Sequence, residues 1–144
     1  MITMITAAVL LSASVFAHDG SNVNTRVKSA FQKDFAEATN VKWESKNDFY
    51  FAEFKVGNSS FSAAYNEEGE RVATSRSVKL DMLPIAVLQA LNSKYEGYKF
   101  AKYVTEVNFQ NETNYYITIA NDKKVLNLKA GANGDLTVES KRKR

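Results

Sequence analysis

A pattern that comes round twice is what most constrains this chain. At a spacing of 60 residues, Val27, Phe31, Phe35, Val41 and Trp43 fall on Val87, Leu91, Tyr95, Ala101 and Tyr103. At a spacing of 65, Tyr50, Phe51, Phe54 and Gly69 fall on Tyr115, Tyr116, Ile119 and Gly134, so a slip of five lies in the first hairpin of each half. A recurrence this long is the mark of one supersecondary unit used twice. Each half opens with a helical period and then changes to a period of two, and only a helix laid on an antiparallel sheet satisfies both.

The first helical stripe is Val23, Val27, Ala30, Phe31 and Phe35, opposite Arg26, Lys28, Gln32, Lys33 and Asp34, with Ser21 or Asn22 as the expected N-cap. The second is Val87, Leu88, Leu91 and Tyr95, with Pro84 suited to its first turn and Gly97 closing it. Strands follow wherever apolar residues alternate: Val41 and Trp43; Tyr50, Ala52, Phe54 and Val56; Phe61, Ala63 and Tyr65. Residues 71–79 form a more polar fourth strand, expected at an edge. After the second helix, alternation resumes over residues 98–109, 115–120, 124–129 and 136–140, broken by Asn-, Asp- and Gly-rich turns. The predicted fold is α+β: two tandem units, residues 18–82 and 83–140, each a helix packed on one face of a four-stranded antiparallel sheet, placed side by side with the other sheet face uncovered.

Residues 5–17 form a charge-free apolar run ending Ser14-Val15-Phe16-Ala17, followed by the polar His18-Asp19-Gly20. Small side chains at Val15 and Ala17 suit a signal peptidase, so residues 1–17 read as a signal peptide cut near Ala17, although Met1-Ile2-Thr3-Met4 lacks the usual basic residue. The run is shorter than the roughly twenty residues needed to cross a bilayer, so the mature chain is expected without a transmembrane segment, in the periplasm or outside the cell.

The formal net charge is +3, yet Lys141, Arg142, Lys143 and Arg144 alone supply +4 and leave the body at −1. A nucleic-acid binder carries its cations as a folded patch interleaved with aromatics, and cations gathered on the last four residues argue against that partner. They read as a solvated basic tail, residues 141–144, able to act as an electrostatic tether to acidic polymer or lipid.

Catalytic chemistry finds little footing. The absence of cysteine excludes disulfides, thiolate metal sites and cysteine nucleophiles. The single histidine, His18, lies at the expected cut, where no fixed base or metal ligand can be held. No phosphate-binding or dinucleotide loop occurs. Glu67, Glu68 and Glu70 are the densest carboxylates, but they flank Gly69 in an exposed turn, where acid–base pKa values are not built. We therefore expect no catalytic residue, no metal and no cofactor.

A binding surface is better supported. Phe49 and Phe51 share a strand face with Glu53, opposite the apolar set Tyr50, Ala52, Phe54 and Val56, so both faces of that strand are aromatic. Tyr103 and Tyr116 extend the candidate face into the second half. Rigid aromatics among charges give large contact area at small entropic cost.

The helix stripe around Phe31 and Phe35, the segments Ala38-Thr39-Asn40-Val41-Lys42-Trp43-Glu44, Phe49-Tyr50-Phe51-Ala52-Glu53-Phe54 and Tyr65-Asn66-Glu67-Glu68-Gly69-Glu70, then Thr74 and Leu83-Pro84, resemble the bacterial β-lactamase-inhibitor-like, PepSY-like proteins. The match spans nearly the whole mature chain and is tightest in its first half; Tyr95, Gly97-Tyr98, Tyr116 and Gly134 carry the second. This resemblance implies a small exported protein of tandem helix-plus-sheet repeats that binds or restrains a secreted protein such as a hydrolase. It does not extend to β-lactamase inhibition, because the secreted inhibitors carry disulfides. The alternative function is an envelope-associated structural protein that docks through its basic tail.

Overall fold

The computed structural model describes residues 22–144. The expected leader, the cut near Ala17 and His18 lie outside the described residues. Helix α1 (Thr25–Asp34) is followed by strands β1 (Thr39–Lys46), β2 (Phe49–Val56), β3 (Ser59–Tyr65) and β4 (Arg71–Lys79). A short 3-10 turn (Leu80–Met82) leads to helix α2 (Ile85–Lys94), then β5 (Lys99–Phe100), β6 (Tyr103–Phe109), β7 (Glu112–Ala120), β8 (Lys124–Gly131) and β9 (Leu136–Lys143).

The nine strands form one antiparallel sheet in the order β1-β2-β3-β4-β6-β7-β8-β9, with the two-residue β5 pairing β7 beside β6. The class is α+β, and the strands are not parted into two separate four-stranded sheets. Residues 71–79 do form a strand, but its place is a correction: β4 lies inside the sheet, hydrogen-bonded to β3 on one side and β6 on the other. Its polarity is tolerated there because Arg76 meets Glu106 directly across the β4–β6 pair, Nε to Oε1 at 2.8 Å. The true edges are β1 and β9, both almost wholly exposed. Each carries a register irregularity near one end or its middle, between Thr39 and Lys42 and opposite Asn127 and Leu128, a device that discourages edge-to-edge pairing.

Both helices lie on the same sheet face, each over its own core. Under α1, Phe31 sits at the centre of an aromatic cluster, with ring centroids 5.5 Å from Phe35, 5.1 Å from Trp43 and 5.0 Å from Phe54, several of them edge-to-face. Ala52 and Ala63 leave room for these rings. Under α2 the filling is mainly aliphatic: Val87 and Leu91 from the helix pack on Val104, Ile117, Ile119, Leu126 and Leu128.

Local details differ from the sequence reading at the two helix starts and at one pair of the 60-residue spacing. The cap of α1 is Asn24, not Ser21 or Asn22: its side chain accepts from the Val27 amide at 2.8 Å while its Nδ2 donates to the Glu67 carbonyl at 3.1 Å. Pro84 stands at the N-cap of α2, before its first turn. Trp43 points to the covered face, whereas Tyr103 points to the other, because the strand entering the second half is interrupted between β5 and β6 and restarts with Val104 inward.

The turns repeat in kind. Asn47-Asp48 and Gln110-Asn111 each have positive φ at both central residues, the form that matches strand twist in a two-residue hairpin. Gly69 (φ +83°) and Gly134 (φ +92°) each lie against a helix start, where an added Cβ would come within 3.0 Å of the Arg26 carbonyl oxygen and 2.7 Å of that of Ala86. Only glycine permits both the conformation and the approach.

Candidate functional site: the uncovered sheet face

Because directly paired residues share a face, the register lays out the side of the sheet that carries no helix among the described residues. One row runs Glu44, Phe51, Ala64, Ala73, Phe109 and Glu112 across six strands from β1 to β7. Phe51 and Phe109 stand three strand spacings apart, about 14 Å, with two alanines between them. The row thus sets two aromatics on either side of two alanines, with a carboxylate at each end. The next row is Glu53, Ser62, Ser75, Val107 and Asn114. A third joins Ser77, Thr105, Tyr116, Lys129 and Thr137.

All five residues proposed from the sequence lie on this face. Phe49 and Phe51 are half-buried and Glu53 is exposed. Phe49 and Phe109 line one depression of about 700 Å³ together with Ala73 and Arg71. Tyr103 and Tyr116 differ sharply: Tyr103 is 54% exposed, near the opposite end of β6 from Phe109, while Tyr116 is only 6% exposed. Tyr116 is buried among its neighbours, and burial, then the nearby Glu139 carboxylate, pushes its hydroxyl pKa up. Tyr116 therefore forms part of the floor, and Tyr103 stands apart from the Phe49–Phe51–Phe109 group.

Sequence reasoning missed Phe109, Val107, Ala64 and Ala73. The signal for the first two was parity, since both share it with Tyr103 along β6. The alanines carry no such signal, because only the strand order places them between two phenylalanines. A second depression, about 730 Å³, is lined by Ser60, Ser62, Ser75, Ser77 and Thr105 beside Glu53. The face thus grades from aromatic at one end to hydroxyl-bearing at the other.

The ionisable groups that are firmly held lie on the covered side. Tyr65 donates to Asp34 Oδ2 at 2.8 Å, and Arg71 approaches the same oxygen at 3.5 Å while its guanidinium stands over the Phe35 ring. Burial, reinforced by that hydrogen bond, raises the Tyr65 pKa strongly. Burial and then Glu106 raise that of Tyr115, and the hydrogen bond to Glu106 raises that of Arg76. Glu70 accepts from Asn66 Nδ2 at 2.7 Å, within a turn tied to the start of α1. Among the described residues, no three His, Asp or Glu side chains converge as a metal site.

The basic residues at 141–144 are not a free tail. Lys141, Arg142 and Lys143 are paired in β9 with Leu126, Val125 and Lys124, and the Arg144 amide donates to the Lys123 carbonyl. Strand β9 runs on through Lys143, which sequence periodicity could not register because every side chain there is charged. No helix among the described residues is long and apolar enough to cross a membrane.

No protein-family model and no curated protein matches the sequence. Solved structures do match. A DUF2874 family protein from Bacteroides ovatus is 25% identical, covering 86% of this chain and 89% of its own, with a TM-score of 0.72. A BLIP-like protein from Bacteroides fragilis is 22% identical over 83% of this chain and 85% of its own, with a TM-score of 0.69. A chain from Bacteroides eggerthii described as one of the "putative periplasmic proteins" is 18% identical over 84% and 88%, with a TM-score of 0.72. The fold is that of the BLIP-like and DUF2874 proteins, in agreement with the β-lactamase-inhibitor-like resemblance of the sequence.

Proposed function

We propose that this is an exported, non-catalytic binding module that uses its uncovered sheet face to hold or inhibit a protein such as a secreted hydrolase. The single observation that carries this reading is the Phe51–Ala64–Ala73–Phe109 row: half-buried aromatics flanking alanines on a face to which neither helix contributes cover. Aromatics over a small-residue floor accept a protruding side chain or loop, and the acidic row ends at Glu44 and Glu112 supply a polar rim. Export is supported by the leader-like residues 1–17 and by the description of the Bacteroides eggerthii neighbour. The recurrent spacings, the paired hairpin turns and the two helix-seated glycines support a division into tandem units at 18–82 and 83–140, with 141–144 joined to the second.

The test is a pull-down from envelope extract with the wild type beside a Phe49→Ser, Phe51→Ser variant whose thermal midpoint is first shown to be retained. Loss of a specific protein partner with the variant is the expected result. Equal recovery of every partner by both proteins would remove the face from the account.

A further inference from the structure

Antiparallel pairing gathers the turns of this sheet at two opposite ends, and the two ends carry opposite charge. The β1–β2, β3–β4, β6–β7 and β8–β9 connections lie together and hold Asp48, Glu67, Glu68, Glu70 and Asp135, with Glu112 beside them. At the other end, β9 brings Lys141, Arg142, Lys143 and the following Arg144, while the β7–β8 turn and the start of β8 bring Lys123 and Lys124 against Asp122. Lys79, paired with Tyr103, and its neighbour Lys102 extend the basic end toward the middle of the sheet. Among the described residues the ion pairs are Arg71–Asp34 and Arg76–Glu106, neither of them in this group.

We propose that this basic end is a docking surface for the phosphate headgroups of an anionic lipid membrane, and that the molecule lands with β9 and the β7–β8 turn down and its acidic turns away. Three features select that occupant. Two of the charges are held in place, which lowers the ordering entropy that opposes contact: Arg144 donates from its side chain to the Asn121 carbonyl, and Lys124 Nζ stands 5.9 Å from the Tyr98 ring centroid. Lys124 and Lys143 face one another directly across β8 and β9, a like-charge pairing that opposes sheet formation until an anion neutralises it. The cations also emerge on both sides of the sheet, Arg142 toward the uncovered face and Lys141 and Lys143 toward the helices. A plane laid against the sheet end meets both sets, whereas a linear polymer needs a groove, and neither of the two depressions described above is lined by these residues.

The test is sedimentation of the full chain with vesicles of phosphatidylcholine alone or with about 30% phosphatidylglycerol. Each cation near an anionic surface strengthens partitioning about fivefold, so Lys141→Ser with Lys143→Ser is expected to weaken it about 30-fold. Raising salt from about 0.05 M to about 0.5 M is expected to release the wild type. Lys28→Ser with Lys46→Ser removes the same net charge far from the basic end and is expected to leave binding within about twofold. Thermal midpoints of both variants check folding. Equal weakening by both pairs, salt-independent binding to pure phosphatidylcholine, or tighter binding to soluble polygalacturonate than to the anionic vesicles would each overturn the proposal.

Discussion

The two faces of this sheet are built from similar residue types and arrive at different ends. On the covered face, Phe54 and Tyr65 are buried against Phe31 of α1, and Ile119 and Leu128 against Leu91 of α2. On the uncovered face, Phe49, Phe51 and Phe109 are only half-buried, although Ala64, Val107 and Tyr116 on the same face are buried. The contrast teaches that strand alternation by itself does not say which apolar set is core. The helix decides that, by supplying the second surface. An aromatic set left without such a partner gains little from folding and is free to gain from association.

Core truncation should show this contrast at its largest. Phe31→Ala is expected to cost about 3–5 kcal/mol and Leu91→Ala about 2–5 kcal/mol in chemical denaturation, whereas Phe51→Ser with Phe109→Ser should cost under about 1 kcal/mol. Comparable losses from both faces would mean that the uncovered aromatics are core after all. Next in size are the helix-seated turns. Gly134→Ala meets the Ala86 carbonyl at a shorter distance than Gly69→Ala meets that of Arg26, so it should lower the thermal midpoint more, each change costing about 1–3 kcal/mol.

A pH-dependent effect should appear in alkali. The Tyr65 pKa lies above its ordinary 10.0 in the folded protein, so the folded state keeps a proton that the unfolded chain releases near that pH. That contribution is fully present below pH 10.0 and is lost as pH rises toward the folded value. Thermal midpoints measured from neutral pH upward should therefore fall above pH 10.0, and Tyr65→Phe should fall less steeply. At neutral pH the same substitution forfeits the bond to Asp34, about 1.5–3 kcal/mol for a charged acceptor, lessened by the partial exposure of Asp34. An unchanged alkaline slope would show that other tyrosines set it.

Much of the fold was legible because periodicity and turn chemistry are local. The stripe from Val27 to Phe35, the alternation from Tyr50 to Val56 and the Asn-Asp turn at 47–48 each name their own geometry. What was not legible depends on strand order. Residues 71–79 read as an edge because Arg71, Ser75, Arg76 and Ser77 are polar, and nothing local reveals that Glu106 lies opposite Arg76. The charged run at 141–144 hides a strand because alternation needs contrasting side chains to be seen. For the candidate site, Phe49, Phe51 and Glu53 were placed on one face by parity, and Tyr103 and Tyr116 were added to it from the repeat spacings. Phe109 shares its parity with Tyr103, but its place across the alanine floor from Phe51 appears only once β4 is known to pair with β6.

The most direct test of the central claim is site-specific photo-cross-linking in envelope extract, with the probe placed in turn at Phe51, at Phe109 and, on the outer side of α1, at Lys28. The account predicts the same protein adduct from Phe51 and Phe109 and none from Lys28. Adducts from Lys28 alone would contradict it and assign recognition to the helical side.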